Sequence, residues 1–438
     1  MLVFISDLHF VDGSAGPHNL SPRAFEYFFD DLEAIAHKPS NHIKEIKLVL
    51  LGDIFDLLRT ETWFDYPVED RPWGTDEPAI EARALKLLRT IIQHPQNRQT
   101  FQIFRQSLAG LSAKCDLATE PRLFYLPGNH DRLVNRYQSL RKEVCDCLGP
   151  ALAWHDPDNL FPHTYEDSEY GVFARHGHEY DEYNYEGGTA YTEQDYQRMP
   201  IGDPITTELV ARLPYALGKR LEAVTWIPPD QKAHIKRNFQ EIEDVRPLST
   251  VVEWLLYQVQ QTEILKEIIE DTVKEVIDYF DSLDFVQDWY SRHNKWTDWL
   301  DEADKIQAFL FLLRHFKLDH TKKLWELAVK AKAYFSQDDL LVAAPREFRH
   351  IGKNIRYVVY GHTHDPLVSA VQSQPASPAP LDKVYLNTGT WRGRYFKATG
   401  DNSFIPWKNM TYVIFYRAGE RDNPYPVFET WTGSLKTT

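Results

Sequence analysis

Five short apolar runs, each stopping at a cluster of Asp, Asn or His, limit how this chain can fold more than any other feature. Leu2 to Ile5 is followed by Asp7-Leu8-His9, and Ile46 to Leu51 by Gly52-Asp53-Ile54-Phe55-Asp56. Leu123 to Leu126 leads to Gly128-Asn129-His130-Asp131, Val172 to Ala174 to His176-Gly177-His178, and Ile355 to Tyr360 to Gly361-His362-Thr363-His364. Runs of this length and composition read as buried strands. A single polar word of this kind is an ordinary turn, because Gly, Asn and Asp dominate turns. Five of them, each ending a strand, predict convergence: the carboxyl ends of strands in an α/β sheet share one crevice. Residues i and i+2 of an extended chain point the same way, so Asp7 and His9 can grip one ion.

The ligand types set the metal class. Carboxylate, imidazole and amide oxygen without thiolate suit Mn, Fe, Zn or Co rather than a Cys-rich zinc or all-oxygen calcium site. There are more ligands than one ion needs, which predicts two divalent metal ions (Mn, Fe or Zn) roughly 3.5–4 Å apart. Cys115, Cys145 and Cys147 fit neither a disulfide framework nor a zinc-finger spacing. They predict buried thiols in a reducing, cytoplasmic compartment.

Helical patterns lie between the early runs, at Arg23 to Ala36, Ala79 to Ile92, Phe101 to Leu111 and Leu133 to Cys147. Strands alternating with helices predict an α/β layered fold. The later runs Val384 to Leu386, Thr411 to Tyr416 and Pro426 to Thr430 predict a second, antiparallel or mixed sheet. Residues 181 to 350 differ, reading as helix almost throughout, with apolar spacing of three and four in Val251 to Phe280, Lys305 to Phe316 and Lys323 to Phe335. The organisation predicted is a core over 1–180 and 351–438 with a helical insert or cap over 181–350. Trp226, Trp254, Trp289, Trp296, Trp299 and Trp325 fall in the insert, as its own core or as aromatic walls over a site. Ser373 to Pro380 predicts a solvated loop.

The net charge of -15 disfavours a long nucleic acid as partner, because an acidic surface repels phosphates. The N-terminus lacks the basic region of a signal peptide. No apolar window predicts a transmembrane segment. The sequence points to no oligomeric state.

Taken in order, Asp-x-His, Gly-Asp-x-x-Asp, Gly-Asn-His-Asp, His-Gly and Gly-His-x-His resemble the calcineurin-like metallophosphoesterases. The resemblance covers residues 1 to about 180 and 350 to about 435, and leaves out the insert. It implies a two-sheet sandwich flanked by helices. It implies that Asp7, His9 and His364 hold one metal, that Asn129, His176 and His362 hold the other, and that Asp53 bridges them. It further implies a bridging hydroxide as nucleophile, His130 as the non-ligand acid, and Asp56 as the carboxylate orienting it. Asp131 is left to hydrogen-bond the turn backbone.

The phrases FISDLHF, LVLLGDIFDLL, HGHEYD and YLNTGTW resemble the branch that contains UDP-2,3-diacylglucosamine pyrophosphate hydrolases. That branch joins the sheet core to a helical insert for a lipid-bearing substrate. His130 and His178 depart from its pattern, where Arg and Asp stand, and the insert here is longer. The resemblance therefore implies phosphoester hydrolysis of a phosphorylated small-molecule or lipid-linked substrate, without choosing among phosphodiester, pyrophosphate and monoester. Arg392 and Arg394 are candidates for a phosphate clamp or a surface pair. Tyr180, with Tyr183, Tyr185 and Tyr191, lines a candidate substrate loop or a packed one. The segment RTETWFDYPVEDRPWG after Asp56 is a candidate lip of the cleft. Two other functions fit parts of the sequence: a non-catalytic scaffold that docks a partner through the insert, and a nuclease.

Overall fold

Two mixed β-sheets with helices around them form the core of the protein in a computed structural model. The structure describes the chain apart from residues 154–155, 189–191, 247–249, 261–264, 294–305, 308–309, 312, 315–338, 374–381, 402 and 435–438. The strands are β1 (Leu2–Ile5), β2 (Lys47–Leu51), β3 (Arg122–Leu126), β4 (Thr164–Asp167), β5 (Val172–Arg175) and β6 (Val245–Arg246). They continue with β7 (Tyr357–Tyr360), β8 (Leu367–Gln372), β9 (Lys383–Asn387), β10 (Gly393–Lys397), β11 (Phe404–Tyr416) and β12 (Val427–Ser434). The first sheet runs β3-β2-β1-β11-β10-β6, with β12 on β11; the second runs β4-β5-β7-β9-β8. Strands β1, β2 and β3 are parallel, as are β5, β7 and β9.

The two-residue alternation of a strand sorts the core into layers. Leu2, Phe4, Val49, Leu51, Phe124 and Leu126 face the second sheet and pack on Tyr165, Val172, Val359 and Leu386. Val3, Ile5, Leu48, Leu50, Leu123 and Tyr125 face the other way, onto helices. The helix Pro22–Ala36 turns Phe25, Phe28, Leu32 and Ile35 to that layer from an N-terminus opened by Pro22. In Glu77–Gln93, Asp76 caps the start, accepting the Ala79 N–H at 3.2 Å.

Three expectations change. Thr411 to Tyr416 and Pro426 to Thr430 belong to the first sheet: β11 lies antiparallel to β1, pairing Phe415 with Leu2. Periodicity marks a strand's faces but not its neighbour. The pattern from Leu133 to Cys147 is two helices, Leu133–Arg136 and Gln138–Leu148, because Tyr137 is extended and its hydroxyl reaches Glu77 Oε2 at 2.7 Å. The helix Asp339–Glu347, inside the expected insert, packs through Leu340 and Ala344 on the outer face of the second sheet with Phe173 and Val358.

The described residues between β5 and β7 are helical, save β6 and short turns. The helices Arg212–Glu222, Pro229–Gln240, Val251–Gln260, Lys266–Asp281 and Asp284–His293 share a core of Leu217, Phe239, Trp254, Ile269, Phe280 and Trp289. Trp254 and Trp289 are thus core, whereas Trp226 is 61% exposed. Trp296, Trp299, Trp325, Tyr191, the pattern Lys323 to Phe335, half of Lys305 to Phe316 and the loop after Ser373 lie outside the described residues. The insert is joined to the core directly: β6 pairs with β10, and Thr207 donates to the Leu58 carbonyl at 3.0 Å. The RTETWFDYPVEDRPWG segment lies in this joint, with Phe64 on Tyr215 and Arg71 on Glu208.

Candidate metal centre

The strand ends predicted to converge do so, but from both sheets. β1, β2 and β3 deliver Asp7, His9, Asp53 and Asn129; β5 and β7 deliver His176, His362 and His364. Backbone rungs continue past the strands and set the loops against one another. Asp7 and His9 donate to the carbonyls of Gly52 and Asp53 at 3.1 and 2.9 Å, and Gly361 donates to His176 at 2.9 Å. Where the β5 and β7 ends meet the first sheet, the His362 N–H reaches Asp7 Oδ2 at 3.1 Å.

Among the described residues four groups of side chains lie close enough to hold an ion: a first, Asp7, His9, Asp53 and His364; a second, Asp53, His176 and His362; and two more, His9, Asp56 and His130, and His18, Glu241 and Asp244. Asp53 belongs to the first and the second. Asn129 Oδ1 adjoins the second group, 3.1 Å from His362 Nδ1. Each imidazole is aimed by its other nitrogen. His9 Nδ1 donates to Asp56 Oδ2 at 3.0 Å, which turns Nε2 toward His364 Nε2 at 3.0 Å and Asp53 Oδ2 at 3.7 Å. His176 Nδ1 donates to the Leu51 carbonyl at 2.8 Å, and its Nε2 lies 3.2 Å from Asp53 Oδ2 without hydrogen-bond geometry. Such outer partners fix tautomer and ring orientation at metal sites. Asp7 Oδ1, in the first group, and His176 Nε2, in the second, are buried polar atoms with no hydrogen-bond partner, an expensive arrangement that a cation in each group would relieve.

The backbone carries strain at the same place. Asp7, His9, Asp53, His362 and His364 all have φ between +46° and +69°, and Asp116 is the only other such non-glycine among the described residues. Each costs roughly 1–3 kcal/mol, and such strain concentrates at functional sites. Crowding explains Gly128: a Cβ there would overlap the Asp53 carboxylate and lie 2.8 Å from His176 Nε2.

Charge is balanced by neighbours. Burial pushes the Asp53 carboxyl up, but His176 and His130 together hold it well below its ordinary value. Burial likewise opposes a charge on His176, yet Asp53 and Asp7 raise it to about 10. Burial keeps His9 neutral, the ligand form, despite Asp56. The donors, their orientation and their unpaired atoms fit two divalent cations.

Beside these groups, His130 places Nδ1 2.9 Å from Asp56 Oδ1 while its backbone N–H donates to Asp53 Oδ1 at 2.9 Å. Against burial, Asp56 and Asp53 raise His130 to about 10. Asp56 is fixed in turn by the Leu58 and Arg59 N–H groups at 3.2 and 2.9 Å. Asp131 holds the turn, accepting from Gly128 at 2.5 Å and from Ile54 and Tyr125 at 2.9 Å each.

The candidate substrate contacts are tied up by protein groups, the two arginines at the border of the site and the tyrosines away from it. Arg392 is buried against Asp244 at 2.6 Å, with Glu243 at 3.7 Å and Asp56 at 3.9 Å. Arg394 donates to the His364 carbonyl at 2.9 Å and pairs with Asp365. Tyr180 hydrogen-bonds Glu347 beside Tyr360, and Tyr185 donates to the Gly188 carbonyl at 2.7 Å. All four are engaged within the protein and none is among the residues grouped for a metal.

Sequence reasoning missed a carboxylate–guanidinium cluster at the joint with the insert. Arg59 meets Glu243 at 2.6 Å and Asp244 at 3.4 Å, and His18 meets Asp244 at 3.3 Å. It also missed Asp181, which accepts from His362 Nε2 at 2.9 Å. The only sequence signal for Asp181 was its place in HGHEYD. No helix among the described residues is long and apolar enough to cross a membrane. No protein-family model matches the chain, and no curated protein matches it.

Proposed function

We propose that the protein is a dinuclear metal-dependent hydrolase of phosphoester bonds, of the calcineurin-like metallophosphoesterase kind. The observation that carries this reading is the pair of ligand groups sharing Asp53 beside the His130 imidazole held by Asp56, which this reading assigns as the acid rather than a ligand. Two such cations supply Lewis acidity toward water and toward the phosphoryl oxygens. The rest falls to the chain. Asp56 fixes His130 through Nδ1, so Nε2 is the nitrogen that gives a proton to the departing oxygen. Asp56 also holds His9, so one carboxylate sets both a ligand and the acid. The charges on Asp7 and Asp53 offset those of the cations. A scaffold would need neither the shared Asp53 nor the His130–Asp56 pair. The acidic balance of the chain favours a phosphorylated small-molecule or lipid-linked substrate over a long nucleic acid.

The test is hydrolysis of bis-p-nitrophenyl phosphate and p-nitrophenyl phosphate by protein loaded with Mn²⁺. Hydrolysis of either that is removed by a chelator and restored by Mn²⁺ is expected, and their ratio separates a diesterase from a monoesterase. Absence of turnover on both and on pyrophosphates by fully loaded protein overturns the reading.

A further inference from the structure

We propose that Asp181 and Asn184, at the start of the insert, are positioning residues that set the affinity of the second metal position alone. This rests on the dinuclear reading above. Four side chains form a closed ring. His362 Nε2 donates to Asp181 Oδ2 at 2.9 Å, and the same oxygen accepts from Asn184 Nδ2 at 2.7 Å. Asn184 Oδ1 accepts from Asn129 Nδ2 at 3.2 Å, and Asn129 Oδ1 lies 3.1 Å from His362 Nδ1.

The ring has one outcome for the atoms that face the metal. An ionised carboxylate only accepts, so Asp181 takes the N–H of His362 Nε2, which turns Nδ1 toward Asn129 Oδ1. Asn184 takes an N–H of Asn129, which fixes the amide so that its oxygen points inward. His362 Nδ1 and Asn129 Oδ1 then face each other at 3.1 Å, the two atoms this position offers a cation. Asp181 and Asn184 therefore pre-form half of the second position.

The turn that carries them is itself held. Tyr183 donates to Asp181 Oδ1 at 2.9 Å, and the Gly202 N–H donates to the Tyr183 carbonyl at 2.7 Å. Next to Gly202, Asp203 pairs with Arg132 at 2.5 Å, and Arg132 follows Asn129 by three residues. The insert thus grips the loop that bears Asn129 at two points. At the first position the partners come from the core: Ser6 and the His362 N–H on Asp7, and Asp56 on His9. The asymmetry is that insert side chains touch the second position's His362 and Asn129 directly, while the first position's Asp7 and His9 are held by core groups.

The experiment is equilibrium dialysis of the full-length protein against Mn²⁺, with metal counted per chain. Wild type is expected to bind two. Asp181→Ala and Asn184→Ala are expected to weaken one position 10–100-fold, the loss typical of outer partners at metal sites, and to leave the other unchanged. Asp181→Asn, which keeps an acceptor without the charge, is expected to fall between and guards against a folding defect in the Ala variant. In a His364→Ala background, which removes the first position, the Asp181→Ala loss should persist. In a His176→Ala background it should vanish. Folded Asp181 variants that bind both ions like wild type, or that weaken both equally, overturn the inference and leave the dinuclear reading standing. Wild type that binds no Mn²⁺ overturns the dinuclear reading itself.

Discussion

At the edge where β1, β2, β3, β5 and β7 end, the buried side chains are Asp, Asn and His, and Asp7, His9, Asp53, His362 and His364 sit on strained backbone. In the insert the buried side chains include Leu217, Trp254, Ile269, Phe280 and Trp289, on helices of ordinary spacing. The two regions obey different physics. Burial of apolar area stabilises the insert wherever its faces meet, and the energy tolerates small shifts. At the ligand edge, burial of charge and left-handed backbone both oppose folding, and only close complementarity among neighbours, or a cation, offsets them. One region supplies stability and the other consumes it. They meet at few polar points: Asp181 on His362, Asp203 on Arg132, and Glu243 and Asp244 on Arg59 and Arg392.

The sharpest break of this comparison is Asp53→Ala. Because one carboxylate serves both groups, metal content should fall from two ions to none, and hydrolysis with it. Two ions per chain retained in the folded variant, measured by elemental analysis, would show that the groups are independent.

Next in size is His130→Ala. It should keep both metals and lose about 10²–10⁴-fold in turnover on an ester with an alkoxide leaving group. On a p-nitrophenyl ester, whose leaving group departs without a proton, the loss should be smaller. Equal losses on both would recast His130 as a group that places the phosphoryl oxygens. Loss of metal would exchange its role with that of Asn129.

Phe280→Ala probes the other region. Removing a fully buried ring should cost about 3–5 kcal/mol in urea unfolding. The protein that remains folded should bind Mn²⁺ as wild type does. A parallel loss of metal affinity would show that the insert core and the ligand edge are mechanically one unit.

The smallest effect sharpens the joint between them. Burial raises the Glu243 carboxyl to about 7 even though Arg59 pulls the other way. Its folded value lies above its unfolded one. Its stabilisation is therefore full below the unfolded value near 4.5 and is lost as pH rises through about 7. Each tenfold difference in proton affinity between the folded and unfolded chain is worth roughly 1.4 kcal/mol. The thermal midpoint of metal-free protein should fall between pH 5 and 8, and fall less in Glu243→Gln. The same fall in the variant would place the pH dependence in other groups.

Much of the ligand edge was legible because its determinants are local. A strand that ends in Gly-Asp or Gly-Asn-His-Asp announces both its end and the polar groups gathered there, whereas the i, i+2 rule for Asp7 and His9 does not apply, because β1 stops at Ile5 and both residues are left-handed. The turn role of Asp131 followed from residue type. Arg392 and Arg394 were legible only as guanidinium groups near the metal edge. Asp244 and the His364 carbonyl, which engage them, come from other elements of the chain. Tyr180 was placed near the site by sequence adjacency to His176, but the turn after Gly177 carries its hydroxyl to Glu347.

The sequence by itself determined the α/β class, the order along the chain of the Asp, Asn and His residues that converge, and the helical character of the described insert. Each of these is written in local pattern: a period of two or of three to four, a glycine, a run of branched residues. Tertiary structure alone decided that β11 and β12 join the first sheet, that the helix Asp339–Glu347 lies on the second sheet, and that Tyr137 splits a helix. It also decided that Asp181 holds His362 and that carboxylates of the insert hold Arg59 and Arg392. The physical reason is common to all of them. Which strand pairs with which, and which charge meets which, depends on residues far apart in the chain, and a local pattern fixes a side chain's face without fixing what that face will meet.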